Sequence, residues 1–222
     1  NFLCLIFFPC LKLSDFVKVY DNMLSKETCR DVIQLFNNEA YPLERTEHHK
    51  KSPMFTQMMM TDVLGESHPL HEQCMSAFNR VLDNYKKDVP YAKDIPGYPE
   101  SDNWRMESFR IKHYQTNTED QFTIHTDHHP EPKRQLAMFF YLNETEEGGE
   151  TWFPCVGNIK TKMGRVVVFP PNWMYPHAGL KTTGDSDKFL LSTYLHVPEV
   201  RNNNFYYDGK EGQIKNGSHD GF

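Results

Sequence analysis

The hydrophobic pattern of this chain changes period once, near Trp104. Before that point two stretches repeat at helical spacing. In the first, Cys29, Val32, Ile33 and Phe36 form one stripe behind Ser25, whose hydroxyl suits a helix N-cap, so a helix is predicted over 26–38. In the second, Leu70, Cys74, Phe78, Val81, Leu82 and Tyr85 mark a longer helix, capped by Ser67 and ended near Pro90. Each stripe is the face a helix turns to a core. Ahead of both, residues 15–20 alternate as a strand does.

Beyond Trp104 the apolar positions recur at every second residue. Short strands are predicted over 107–115, 122–127, 135–142, 150–153, 158–162, 165–169 and 188–197. Turn-forming pieces such as Glu146-Glu147-Gly148-Gly149 and Pro170-Pro171-Asn172 part them. Many short strands at close spacing predict an all-β sandwich or barrel, so the fold class is mainly β with supporting α-helices bracing one face. Three segments stand outside this pattern. Residues 41–53 turn polar and basic, with His48, His49, Lys50 and Lys51 together, and read as a solvated loop, since neighbours in an extended chain point apart. Residues 90–104 interleave prolines with Tyr91, Tyr98 and Trp104, which suits either a lid or a plain surface connection. From Arg201 the chain is rich in Asn, Gly and Lys, as a surface tail is.

Composition narrows the classes. The 222 residues suffice for one core, which divides the chain into an apolar extension (1–14), a single domain (15–200, with its β core at about 107–197) and a polar tail (201–222). Thirty acidic against 24 basic residues leave a net charge of −6, which argues against a surface that holds nucleic acid. The five cysteines are scattered and odd in number, with no C-x-x-C pair, so isolated thiols are expected and not a disulfide framework or a zinc ribbon. The apolar run 2–13 is shorter than the roughly 20 residues of a membrane span, so no span is expected. It reads as an edge strand or a tail, with a cytoplasmic location, or as a signal remnant with a secreted or ER-type one.

The candidate chemistry starts at His125-Thr126-Asp127. In a strand, residues two apart share a face, so His125 and Asp127 can hold one ion while Thr126 points away. With a second histidine this becomes the 2-His-1-carboxylate facial triad, which leaves positions open on a ferrous ion. His177 is the candidate, since it follows the strand Gly164-Arg165-Val166-Val167-Val168-Phe169 and the Pro170-Pro171 turn. Lys188 comes eleven residues later, at the head of an apolar strand. It is either a strand-entry residue facing solvent or a buried cation, and a buried cation needs a counter-charge such as a dicarboxylate supplies.

The array from Glu107 to Val197, some 90 residues, resembles the prolyl 4-hydroxylase-like branch of the Fe(II)- and 2-oxoglutarate-dependent dioxygenases. The motifs that carry the resemblance run in order: Tyr114, His125-Thr126-Asp127, Tyr141-Leu142-Asn143, Gly148-Gly149-Glu150-Thr151, the valine strand through Pro170, His177-Ala178-Gly179 and Lys188. The resemblance implies a double-stranded β-helix of the jelly-roll or cupin-like kind, braced by N-terminal helices. It implies His125, Asp127 and His177 as iron ligands, Lys188 as partner of the distal carboxylate of 2-oxoglutarate, and Tyr114 as a hydrogen-bond partner of that cosubstrate. Thr193 and Asn143 are implied as further pocket residues. Lys188 lies one place beyond the commonest family spacing, and the 182–187 turn can absorb the extra residue. Arg110, Lys112 and Arg165 are the competing carboxylate partners. The implied reaction uses Fe(II), 2-oxoglutarate and O2, with ascorbate as reductant, to hydroxylate a C–H bond and release succinate and CO2. Asp127, by occupying the third protein position, favours hydroxylation over halogenation. A prolyl residue of a peptide or protein is the first expectation for the substrate, ahead of lysine or a small molecule, and residues 41–60 and 90–104 are the loops expected to admit it. The rival reading is a non-redox cupin-like metal- or sugar-binding module.

Overall fold

The computed structural model describes residues 11–47, 53–89, 92, 106–128 and 134–196, with two further strands at Phe205–Tyr207 and Ile214–Asn216. The chain begins with a 3-10 turn at Leu13–Phe16 and a strand β1 (Lys18–Tyr20). The alternation over 15–20 is thus half strand. The Asp15 carboxylate accepts the Lys12 backbone N–H at 2.8 Å and winds the first residues into the turn. Helix α1 (Lys26–Phe36) starts where Ser25 Oγ accepts the Thr28 N–H at 2.9 Å, and it buries Cys29, Val32 and Phe36. Three elements in the next stretch have no counterpart in the sequence reading: β2 (Glu44–Glu47), β3 (Met54–Met59) and the short helix α2 (Met60–Leu64). β2 falls within the segment expected to be a loop. It is an edge strand with the polar sequence ERTE, mostly exposed, so no alternation marks it. The His48–Lys51 cluster lies outside the described residues.

Helix α3 (Pro69–Asp88) is capped by His68, whose Nδ1 accepts the Leu70 N–H at 3.2 Å, and not by Ser67. Pro69 takes the first helical position, which its fixed φ suits, and that places the cap one residue later than expected. All six stripe residues from Leu70 to Tyr85 are buried. The lid or connection expected over 90–104 lies outside the described residues, Ala92 excepted.

The remaining strands are β4 (Arg110–Tyr114), β5 (Phe122–His125), β6 (Arg134–Tyr141), β7 (Glu147–Gly148), β8 (Thr151–Phe153), β9 (Gly157–Ile159), β10 (Val166–Phe169), β11 (His177–Gly179), β12 (Thr182–Thr183), β13 (Lys188–His196), β14 (Phe205–Tyr207) and β15 (Ile214–Asn216). A seven-stranded antiparallel sheet runs β1-β10-β6-β13-β4-β3-β2, and a four-stranded one runs β5-β11-β8-β9. β14 pairs with β15 within the segment read as a polar tail.

Period-two alternation in β6 and β13 serves two cores at once. Leu136, Met138, Phe140, Leu191 and Leu195 pack with α1 and α3 on one face of the large sheet. Ala137, Phe139, Tyr141, Leu190 and Tyr194 pack on the other, against Phe153 of the small sheet. Both faces are covered, so the strands read as near-continuous apolar runs. Two glycines hold the turns. Gly164, at φ 77°, brings its carbonyl to the Met23 N–H at 2.8 Å, and a Cβ there would lie 2.4 Å from the Leu24 carbonyl oxygen. Gly148, at φ 71°, would place a Cβ 2.2 Å from the Lys181 carbonyl oxygen. Side chains are excluded at both. The result is a double-stranded β-helix: two facing sheets with helices against the outer face of the larger one.

Candidate metal and cosubstrate site

The small sheet assembles the triad by register. β11 pairs antiparallel with β5 so that His177 stands opposite His125. β5 ends at His125, and Asp127 lies just beyond it. The strand that carries His177 is too short to announce itself in the sequence. Asp127 Oδ1 lies 3.4 Å from His125 Nε2, Asp127 Oδ2 lies 3.4 Å from His177 Nε2, and one ligand atom from each of the three falls within 4.8 Å of the others.

The protonation pattern follows from the partners. His125 Nδ1 lies 2.7 Å from the Thr123 carbonyl and His177 Nδ1 lies 3.2 Å from the Tyr175 carbonyl, and a carbonyl only accepts, so both Nδ1 atoms carry the proton. Both Nε2 lone pairs then face Asp127. His177 is 2% exposed and Asp127 7%, and His177 Nε2 and Asp127 Oδ2 are buried with no hydrogen-bond partner. Buried polar atoms are ordinarily paired, so converging orphaned acceptors fit a divalent cation. Burial pushes His177 down to about 4, partly offset by the Asp127 charge, which keeps the imidazole in the neutral form a metal needs. Burial alone would raise the Asp127 carboxyl, but the flanking His125 and His177 side chains and the Lys112 charge outweigh it and hold the group well below the usual carboxylate range. Phe139, Phe153 and Phe169 surround the His177 ring.

Beyond the triad a cavity runs between the sheets, lined by Lys112, Tyr114, Thr151, Gly179, Lys188 and Leu190 besides the histidines and their phenylalanines. Lys188 is 1% exposed and points inward from the head of β13, with its ammonium 5.0 Å from the Tyr114 ring centre. Its Cα partner across the ladder is Tyr114 itself. Burial, and next the Lys112 charge, push Lys188 down to about 7. Lys112 is 4% exposed, and burial, partly offset by Asp127, brings it to about 8. Neither ammonium has a hydrogen-bond or ion-pair acceptor among the described residues.

The other expected residues divide. Asn143 is not among the cavity's lining residues. Its Nδ2 donates to the Asp187 carbonyl at 2.6 Å and its Oδ1 accepts the Phe189 N–H at 2.8 Å, bracketing Lys188 on both sides. Thr193 faces away from the cavity, since Lys188, Leu190 and Tyr194 take the cavity side of β13 and Thr193 alternates with them; its hydroxyl donates to the Glu107 carbonyl at 2.6 Å. Arg165 is not among the cavity's lining residues and pairs with Asp21. Arg110 lies outside the cavity, in a groove on the open side of the triad.

One functional group escaped the sequence reading. Arg134 Nη2 donates to Glu107 Oε2 at 2.8 Å, and its Nη1 donates to the Asp127 carbonyl at 3.1 Å, which anchors the backbone of the carboxylate ligand. The guanidinium lies 3.7 Å from the centre of the Tyr194 ring, and His196 Nε2 is 2.9 Å from Glu107 Oε1. No local pattern announces a pair 27 residues apart.

Residues 109–196 match the family model of the 2OG-Fe(II) oxygenase superfamily. No curated protein matches the sequence. Among solved structures, the viral collagen prolyl hydroxylase of Paramecium bursaria Chlorella virus-1, in its 2OG complex, superposes with a TM-score of 0.58 at 18% identity, over 82% of this chain and 96% of that one. A Pseudomonas putida prolyl-4-hydroxylase gives 0.56 at 14% identity, over 82% and 92%. A Trichoplax adhaerens prolyl hydroxylase, in complex with a hypoxia inducible factor oxygen degradation domain peptide fragment, gives 0.58 at 12% identity, over 82% and 84%. At such identities the likeness is one of fold. A non-redox cupin-like module would account for neither the family match nor a lysine turned into the barrel. That match spans β4 to β13 and encloses the triad, so residues 109–196 are a 2OG-Fe(II) oxygenase domain on a fold like that of the prolyl hydroxylases, a domain whose cofactors are Fe(II), 2-oxoglutarate and O2.

Proposed function

We propose that the protein hydroxylates a prolyl residue of a peptide or protein, releasing succinate and CO2. His125, Asp127 and His177 hold the iron, Lys188 pairs with the distal carboxylate of 2-oxoglutarate, and Tyr114 lines the same end of the cavity. When bound, the iron and its cosubstrate supply the oxidising chemistry from dioxygen. The protein does the rest. The Thr123 and Tyr175 carbonyls fix both imidazole tautomers, Arg134 holds the Asp127 backbone, Asn143 fixes the strand at Lys188, and the phenylalanines around His177 keep water from it. The observation that carries the reading is the convergence of two orphaned buried acceptors, His177 Nε2 and Asp127 Oδ2, beside a cavity that His177 lines together with the buried Lys188. The peptide expectation draws support from the Trichoplax structure, whose partner is a peptide fragment. Among the described residues no helix is long and apolar enough to cross a membrane.

Equilibrium binding separates the roles. His177→Ala is expected to lose Fe(II) with the fold intact by circular dichroism. Lys188→Ala is expected to keep Fe(II) and weaken 2-oxoglutarate binding by roughly tenfold or more, the worth of a charge-assisted contact. If Lys188→Ala binds 2-oxoglutarate normally and Lys112→Ala or Arg110→Ala does not, the anchor is misassigned.

A further inference from the structure

Residues Arg110, Lys112 and Tyr114 take the same face of β4, two apart, so they form a row running outward from the cosubstrate cavity. Tyr114 lines the inner cavity. Lys112 lines both that cavity and the outer groove on the open side of the triad, and Arg110 lines the outer groove alone. Phe55, Gln57, Asp127, His128, Arg134 and Tyr194 are among the groove's other lining residues.

Among the described residues the charges of the site do not balance without something further. A divalent ion and the Lys188 ammonium are matched by the Asp127 carboxylate and the two carboxylates of 2-oxoglutarate. Arg134 is matched by Glu107. Lys112 and Arg110 are left over. The Lys112 ammonium lies 5.1 Å from the Phe55 ring centre, 5.7 Å from that of Phe139 and 5.8 Å from that of Phe122, and ring faces offset only part of what a buried ammonium loses with its water. Arg110 Nε has Met59 Sδ, a weak acceptor, at 3.3 Å, and the guanidinium has no carboxylate among the described residues. Two cations without a carboxylate partner among the described residues thus line the outer groove beside the triad.

We propose that the outer groove selects a substrate that carries a carboxylate close to the carbon to be oxidised, and that Lys112 and Arg110 are its counter-charges. For a peptide this means an acidic residue beside the target proline. Lys112 and Arg110 are specificity-determining residues in this account, and Lys188 remains the cosubstrate's. The proposal deepens the peptide hydroxylase reading and rests on it only for the choice of probes.

The test is binding to the full chain loaded with Mn(II) and N-oxalylglycine, an unreactive analogue of 2-oxoglutarate. Three peptides of equal length place Glu, Gln or Lys beside one proline, and N-acetylproline is compared with its amide. The Glu peptide is expected to bind at least about tenfold more tightly than the Gln peptide, with the Lys peptide weakest. That preference is expected to collapse in Arg110→Gln and in Lys112→Met, with Mn(II) content and the thermal melt checking that each variant is folded. Should Lys112→Met not fold, Arg110→Gln carries the test alone. A preference for N-acetylproline over its amide, with the three peptides equal, places the carboxylate on a small substrate and leaves the charge assignment standing. Equal binding of acidic and neutral probes throughout, preference for the Lys peptide, no binding by any probe, or an acidic preference that survives both substitutions overturns the proposal. Acid preference without hydroxylation of any proline, in protein that turns over 2-oxoglutarate, overturns the prolyl reading and not this one.

Discussion

Lys188 is the residue on which burial, charge and chemistry meet. A lysine at 1% exposure, brought down to about 7, is carried at a cost that folding alone does not return. Released into the unfolded chain, it regains the ordinary lysine range near 10, so between those values the unfolded state binds more protons than the folded one. Stability of the protein free of metal and cosubstrate therefore rises with pH from about 7 toward 9, and Lys112, at about 8, contributes in the same direction. Below about pH 7 both ammoniums are charged in both states and their contribution to the dependence vanishes. Thermal melts across that range test this. Saturating 2-oxoglutarate with metal is expected to flatten the slope, because a carboxylate beside Lys188 keeps it charged; a melting temperature that falls with pH in the free protein contradicts the buried placement. Asn143 belongs to the same scale. It touches the backbone on both sides of Lys188, so Asn143→Ala is expected to raise the KM for 2-oxoglutarate about tenfold with a smaller change in kcat, and iron binding retained.

At the scale of elements, the site depends on three strands, two of them paired in the small sheet and one in the large. β5 and β11 place the histidines opposite each other, and β6 begins at Arg134, which reaches back to the Asp127 carbonyl and across to Glu107. Burial would raise the Glu107 carboxyl, but Arg134 and His196 hold it below its ordinary value, so the group is charged and paired at neutral pH. Glu107→Gln leaves the half-buried Arg134 guanidinium without its counter-charge and is expected to lower stability by about 3 kcal/mol in urea denaturation, with weaker Fe(II) binding as Asp127 loses its anchor. Unchanged stability and metal affinity would show that the Arg134 contact to Asp127 stands without Glu107. The sequence makes helices α1 and α3 and most of the longer strands legible because each has a one-sided stripe or an alternation to display. β2, β3, β7, β11, β12, β14 and β15 are not legible, nor is the short helix α2. The strands among them are two to six residues long, and pairing with a neighbour defines them where local pattern cannot.

For the whole molecule, the same distinction separates what was readable in the site from what was not. The order His125, Asp127, His177, Lys188 is visible because ligand chemistry restricts residue type at each position; the structure brings His125, Asp127 and His177 together, and the cavity that both histidines line also takes Lys188. The side of a strand was harder to read. Thr193 was expected at the pocket, yet one step of strand register puts its hydroxyl on the opposite face. By sequence Lys112 is only a rival to Lys188, because the sequence cannot show that two lysines on neighbouring strands both turn inward. The fold gathers these groups by laying one sheet over another, with helices α1 and α3 stiffening the outer face of the larger sheet. The central claim is that this arrangement couples iron to 2-oxoglutarate. Succinate released from 2-oxoglutarate under air tests it most directly. The account predicts succinate that requires Fe(II) in the wild type, stimulated by a peptide substrate, and none above background in His177→Ala. No Fe(II)-dependent succinate from folded wild-type protein across a broad peptide set, or undiminished release from His177→Ala, would contradict it.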